Sequence, residues 1–382
     1  MFTLDKKNKA EFKKKISEMK LKEREVLLVL MGEECVFEYQ EIADILNNNN
    51  ITFVGGFFPA VIIENKKTKQ GLIVVKLPVQ REPLLIKNME RISKYKNQLE
   101  DMKKIIDRGA KNKTVFIIGD GHNDFLDDFL DEIFNFFANS VDYIGGAAGG
   151  AEPICIFNNQ DSYRNAACVL LLDLYCQQGI KHGLQDVFNP LIATKIDRNV
   201  IKELNWDNPF KVYSEQVNAI LAQEDKQQKL KKERFQDISR FFPVGIIREN
   251  QDKIIRDIWG VNEKGELLCG GKVPENGVLS LMKAEKKNLI EASGKAVEQI
   301  SEKLEKKETA VKPKIILFID CIARAQVLGA DYNKAVQMIY EKNRLIGQQR
   351  VVGVLSMGEF SSAQKGFIEY YNMTTVVGAL YE

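Results

Sequence analysis

The sequence predicts an α/β (α+β) protein built from a repeated β-α-β-β unit, and three observations carry this. Short apolar runs of strand length alternate with stretches of helical period. Two units place a Gly-Gly pair at nearly the same distance from an opening strand: 28 residues separate Leu27 from Gly55, and 29 separate Phe116 from Gly145. A looser copy of the same order lies near the C-terminus. Such units are expected to form mixed sheets flanked by helices in two related domains, with the layering of the sheets left open.

Unit one opens with the apolar run 26–30, and Ile42, Ile45 and Leu46 then recur at helical spacing. Residues 51–54 lead into Gly55-Gly56, and a hairpin is expected from 61–63 and 72–77. Unit two opens at 115–118 and ends in Gly119-Asp120-Gly121. Its helix is the clearest in the chain, with Phe125, Phe129, Ile133 and Phe137 on one face. Asp124, Asp127 and Asp128 sit in its first turn, where the helix dipole favours negative charge. Residues 141–144, Gly145-Gly146 and a hairpin of 154–157 with 166–173 complete it.

Unit three runs from 315–319 through a helix marked by Ala335, Met338 and Ile339 to 351–355, then a hairpin of 367–371 with 375–381. The Lys/Gln-rich stretch before it marks the expected boundary. That gives a first domain over 1–222, a linker or connecting helix over 223–235, and a second domain over 236–382. Strand signals at 244–248, 254–260, 266–269 and 278–282 are punctuated by turns, and a Lys/Glu-rich helix over 285–306 leads into unit three.

Composition narrows the function classes. With 45% apolar and 28% charged residues the chain is globular, not collagen-like or disordered. Lys plus Arg number 55 against 53 Asp plus Glu, so no overall field draws the chain to nucleic acid or anionic membrane. The basic runs at 6–20, 94–113 and 226–234 carry interleaved acids or helical spacing and read as solvated helix faces. Six cysteines without a CxxC pair read as reduced, buried thiols, which excludes a disulfide framework and a zinc ribbon. The N-terminus has no signal-peptide core, and no uncharged apolar run approaches the ~20 residues of a membrane span. A soluble cytoplasmic protein with neither metal nor cofactor is expected.

Several motifs bear on a site. Gly145-Gly146-Ala147-Ala148-Gly149-Gly150 follows a strand but leads into another strand, so it is neither a dinucleotide fingerprint nor a P-loop. It reads as an inter-strand corner, a pocket wall or a phosphate-binding loop. Cys321 and Arg324 follow the strand that opens unit three, where α/β proteins often line ligand sites. Cys321 is structural, ligand-lining or, with a lowered thiol pKa, nucleophilic. Gly358-Glu359 occupies the matching corner after the second strand of unit three. Arg324 and Glu359 form either a structural ion pair or two anchors for a zwitterion, Arg forking onto a carboxylate and Glu accepting from an ammonium. Asn372 and Thr374 add an amide and a hydroxyl, and Arg256 is a charge inside a predicted strand.

Together these residues resemble the FIST family, in which an N-terminal and a C-terminal FIST domain follow one another. The resemblance rests on Phe53-Val54-Gly55-Gly56 and Ile144-Gly145-Gly146-Ala147-Ala148-Gly149, then on Cys321-Ile322-Ala323-Arg324, Gly358-Glu359 and Asn372-Met373-Thr374. It covers roughly 24–220 and 238–382. It implies a sensory module of signal transduction that binds a small ligand such as an amino acid, with Cys321, Arg324, Gly358, Glu359, Asn372, Thr374, Gly145, Gly146 and Arg256 as candidate ligand-binding residues. No catalytic residue is implied. No kinase, chemoreceptor, cyclase or F-box segment is read in the sequence, so output through a separate signalling partner or through oligomerisation is expected. The alternatives are a protein-interaction scaffold without a small ligand and an enzyme using a Cys321 thiolate.

Overall fold

A computed structural model describes residues 1–109, 113–224, 227–249, 252–305, 312–363 and 367–382. Parts of the basic run 94–113 and of the linker 223–235, the first residue of the run 226–234 and the last residue of the helix 285–306 lie outside the described residues. The chain is mixed α/β, as the sequence predicts, with three six-stranded sheets and two four-stranded ones among the described residues.

The three large sheets share one plan. In each unit the opening strand pairs in parallel with the strand that carries the glycine position: Glu25–Gly32 with Phe53–Phe58, Thr114–Asp120 with Asp142–Ala148, and Ile315–Cys321 with Val351–Ser356. The last strand of the unit returns antiparallel on the other side of the opening strand: Leu72–Pro78, Ala166–Leu172 and Thr375–Tyr381. The strand between them leaves the unit. Ala60–Ile63 joins the sheet of unit three beside Val351–Ser356, Ile156–Asn158 joins unit one beside Phe53–Phe58, and Glu359–Ser361 joins unit two beside Asp142–Ala148. The exchange is cyclic.

This corrects the expected hairpins. Ala60–Ile63 pairs with Lys66–Thr68 and not with the strand at 72–78. The reason is local: Glu64 and Asn65 have φ of 47° and 68°, and a two-residue turn with both φ positive closes a tight hairpin. That leaves Leu72–Pro78 free to pair with the opening strand. Ile156–Asn158 likewise pairs with Ser162–Tyr163, and Glu359–Ser361 with Glu369–Tyr371, through longer connections.

The glycine pairs occupy equivalent places, but within strands and not at corners. Gly55 faces Val29 and Gly145 faces Ile117 in the parallel ladders. A methyl group on either would come within 1.9 Å of the carbonyl oxygen of that partner. Gly353 holds the third such position, opposite Phe318. Flanking residues at matching positions, Leu30, Ile118 and Ile319 with Val54, Ile144 and Val352, meet in one central core between the sheets. Helices cover the outer faces: Tyr39–Asn47 on the first sheet, Leu126–Phe137 on the second, Lys286–Glu305 and Tyr332–Lys342 on the third.

Each small sheet mixes strands from both sides of the 223–235 stretch. Gln185–Ile192 pairs with Val278–Lys283, and Val200–Glu203 pairs with Leu267–Cys269. The predicted strand 254–260 divides in two: Ile254–Arg256 belongs to one small sheet and Ile258–Val261 to the other. Asp257 lies between them.

Candidate functional site

A cavity of about 590 Å³ opens where the C-terminal ends of the three opening strands converge. Glu33, Gly121 and Ile322, the first residues beyond those strands, all line it. The carboxyl ends of strands are where open α/β sheets bind ligands, because the loops there are free to diverge from the scaffold. The three-unit core makes one wall, through Gly121, His122, Cys321 and Met357. The region of the small sheets makes the other, through Ser239, Arg240, Asp257 and Trp259.

Of the candidate ligand-binding residues, Cys321 and Asn372 line this cavity, and Gly150 at the end of the glycine run lines it too. Cys321 ends its strand and precedes the helix Ile322–Leu328. Burial pushes its thiol well above the ordinary cysteine value, and the carboxyls of Glu359 and Asp257 push the same way. Such a thiol is protonated at neutral pH, the opposite of an activated nucleophile. Asn372 is 1% exposed, and its Oδ1 has no hydrogen-bond partner. Its main chain is pinned by Thr374, whose Oγ1 donates to the Asn372 carbonyl at 2.7 Å across Met373, a residue with φ of 51°. Thr374 therefore positions the cavity residue without lining the cavity itself.

Arg324 and Glu359 do not form the expected pair of anchors. Arg324 is fully buried and turns away from the cavity: Nε donates to Asp320 Oδ1 at 2.7 Å, Nη1 to the His182 carbonyl at 2.8 Å, and Nη2 to the Leu289 carbonyl at 2.9 Å and Ser293 Oγ at 3.0 Å. The physical reason is the sharp strand-to-helix junction, which folds the first helical turn back over Asp320, the next-to-last residue of the strand. Glu359 is equally buried and accepts from Ser356 Oγ at 2.6 Å. Burial holds its carboxyl well above the usual carboxylate range, with the Ser356 bond acting the other way. Both residues stand behind the cavity wall.

Three glycines pack too tightly to meet a ligand. Gly145 and Gly146 lie inside their strand, paired with Phe360 and Glu359. A methyl at Gly358 would enter the Tyr370 ring. Arg256 braces the wall from behind: Nε donates to the Lys272 carbonyl at 2.7 Å, Nη1 to the Tyr370 carbonyl at 2.8 Å, and Nη2 lies 3.5 Å from Asp127. Tyr370 and Asp127 do line the cavity.

Polar residues lining the cavity that sequence reasoning missed include Ser239, Arg240 and Asp257. Ser239 is 1% exposed and its hydroxyl has no partner. Asp257 makes no side-chain hydrogen bond or ion pair among the described residues. Burial pushes its carboxyl up to about 6, with Arg240 acting the other way. Among the described residues no cluster of three or more His, Cys, Asp or Glu is arranged to hold a metal ion, and no helix is long and apolar enough to cross a membrane.

Three interlocked α/β units thus close on one ligand-sized cavity with polar groups gathered at strand ends. Family models identify the particular class: the FIST N domain matches residues 25–207 and the FIST C domain residues 209–362. The chain belongs to the FIST family. Domains of this family are associated with signal transduction and small-ligand sensing. A comparison with curated proteins finds no match.

Proposed function

We propose that this protein is a sensor that binds a small polar metabolite, such as an amino acid, in the cavity at the three strand ends and signals through a separate partner. The observation that carries this reading is the pair of unpartnered buried polar atoms on the cavity wall, Ser239 Oγ and Asn372 Oδ1. A buried polar atom without a partner costs about 1–3 kcal/mol, and a ligand that reaches it recovers that penalty. The volume falls within the roughly 300–1,000 Å³ usual for small-molecule sites. In this reading Asp257, which lines the cavity, takes the anchoring role expected of Glu359, and Arg324 has no counterpart there.

A thermal-shift screen against amino acids, organic acids, sugars, nucleosides and amines tests the reading. A true ligand at 100 times its Kd stabilises the protein by about 2.7 kcal/mol, a plain upward shift in Tm. If no compound stabilises the protein, the scaffold reading takes its place.

A further inference from the structure

We infer that the cavity takes a ligand carrying an ammonium group and no net negative charge, with its nitrogen seated among Asp257, Ser239 and Asn372. The inference rests on the sensory reading above and narrows it to a ligand class. An ammonium has three donors and no acceptor. The three side chains offer it a carboxylate, a hydroxyl oxygen and an amide oxygen, none with a hydrogen-bond partner among the described residues at the atom in question. They are held close along one stretch of wall. The Asp257 carbonyl accepts the Gly270 amide at 2.9 Å, and Gly270 lies against the Asn372 amide, where a methyl would come within 2.7 Å of Oδ1. Ser239 belongs to the short helix Phe235–Ser239, which packs on the strand following Asp257.

The charges around the cavity point the same way. Glu33, Asp124, Asp127 and Asp257 line it, against Arg240 as its single Lys or Arg among the described residues. Arg240 is already engaged by its own helix, donating to the Gln236 carbonyl at 2.5 Å and lying 3.7 Å from Asp237. Glu33 is already paired with Lys69 at 2.6 Å and Asp127 with Arg256 at 3.5 Å, so an anionic ligand would add its negative charge beside the carboxyls of Asp124 and Asp257, whereas a cation relieves it. The raised carboxyl of Asp257 agrees with this, because a nearby ammonium is what would stabilise its ionised form.

Trp259 supplies the readout. It lines the cavity with 46% of its surface exposed, and Trp206 is the other tryptophan of the chain. In a Trp206→Phe background, Trp259 emission is titrated at pH 7.5 with lysine, 1,5-diaminopentane, norleucine and glutamate. Lysine or 1,5-diaminopentane should change the emission at concentrations at least about tenfold below glutamate. Asp257→Asn and, separately, Ser239→Ala should each raise that half-saturation by about tenfold or more with an unchanged far-UV spectrum. Glutamate binding as tightly as lysine, an unchanged response in both variants, or no response to either amine would overturn the assignment. Stabilisation by an uncharged or anionic compound in the metabolite screen would then leave the sensory reading standing without it.

Discussion

Replacing Arg324 with methionine should unfold the protein far more readily than it disturbs a ligand. Arg324 and Asp320 are both fully buried, and the guanidinium makes four hydrogen bonds, to Asp320, Ser293 and the carbonyls of His182 and Leu289. Asp320 Oδ1 also accepts from Thr375 Oγ1 at 2.6 Å, so the carboxylate is fixed in place and cannot turn toward water. Arg324→Met keeps much of the volume but leaves a buried carboxylate without its cation and takes the guanidinium donors from Ser293 and from the His182 and Leu289 carbonyls. Breaking one partner of such a pair costs about 3–5 kcal/mol, a large share of the roughly 5–15 kcal/mol that holds a domain folded. Adding Asp320→Asn removes the stranded charge, so the double variant should be more stable than the sum of the single effects by about 0.5–3 kcal/mol. Urea unfolding followed by far-UV circular dichroism measures both quantities through the midpoint at constant m. An Arg324→Met protein with the parent midpoint but impaired ligand binding would refute this reasoning and return Arg324 to the cavity.

Two further outcomes are expected from the geometry. Iodoacetamide at pH 7.5, mapped by peptide mass, should label the half-buried Cys35 before Cys321, whose thiol is 1% exposed and held protonated by burial and two carboxyls; Cys321 reacting first would favour a thiolate enzyme. Gly145→Ala should destabilise by about 1–3 kcal/mol or more, because its methyl meets the Ile117 carbonyl at 1.9 Å, whereas Gly260→Ala meets only the flexible end of Leu268 at 3.1 Å and should cost much less; equal urea midpoints for the two would contradict the packing.

The units were legible because each rests on local patterning. The opening strands, the Phe-rich helix and the returning strands all bury one periodic face, and the structure places them close to the expected residues. The exchange of strands was not legible. Ala60–Ile63 pairs with a strand nearly 300 residues away, and its own apolar run is equally compatible with a partner in its own unit. The region 175–203 showed too little alternation to be read, and its longest strand carries Pro190 and an irregular register. Arg324 had one usable signal, the Asp320 four residues before it on a strand-to-helix junction. Asp257 and Ser239 had none, since their significance comes from lacking partners, which only coordinates reveal.

The cyclic exchange also explains why a threefold plan yields an asymmetric site. Passing a strand from each unit to the next locks the three sheets together, so that the carboxyl ends of their opening strands are brought to one place by topology. Strand ends alone would give three similar rims. The symmetry is broken by the residues just beyond them: Glu33 in unit one, Gly121-His122 in unit two, and Ile322, which leads directly into a helix, in unit three. It is broken again by the region of the small sheets, which covers this end and contributes Ser239, Asp257 and Trp259. Those sheets are themselves woven from both FIST domains, through the pairing of Gln185–Ile192 with Val278–Lys283 and of Val200–Glu203 with Leu267–Cys269. Asp257, between a strand of one small sheet and a strand of the other, therefore joins the cavity wall to strands of both domains.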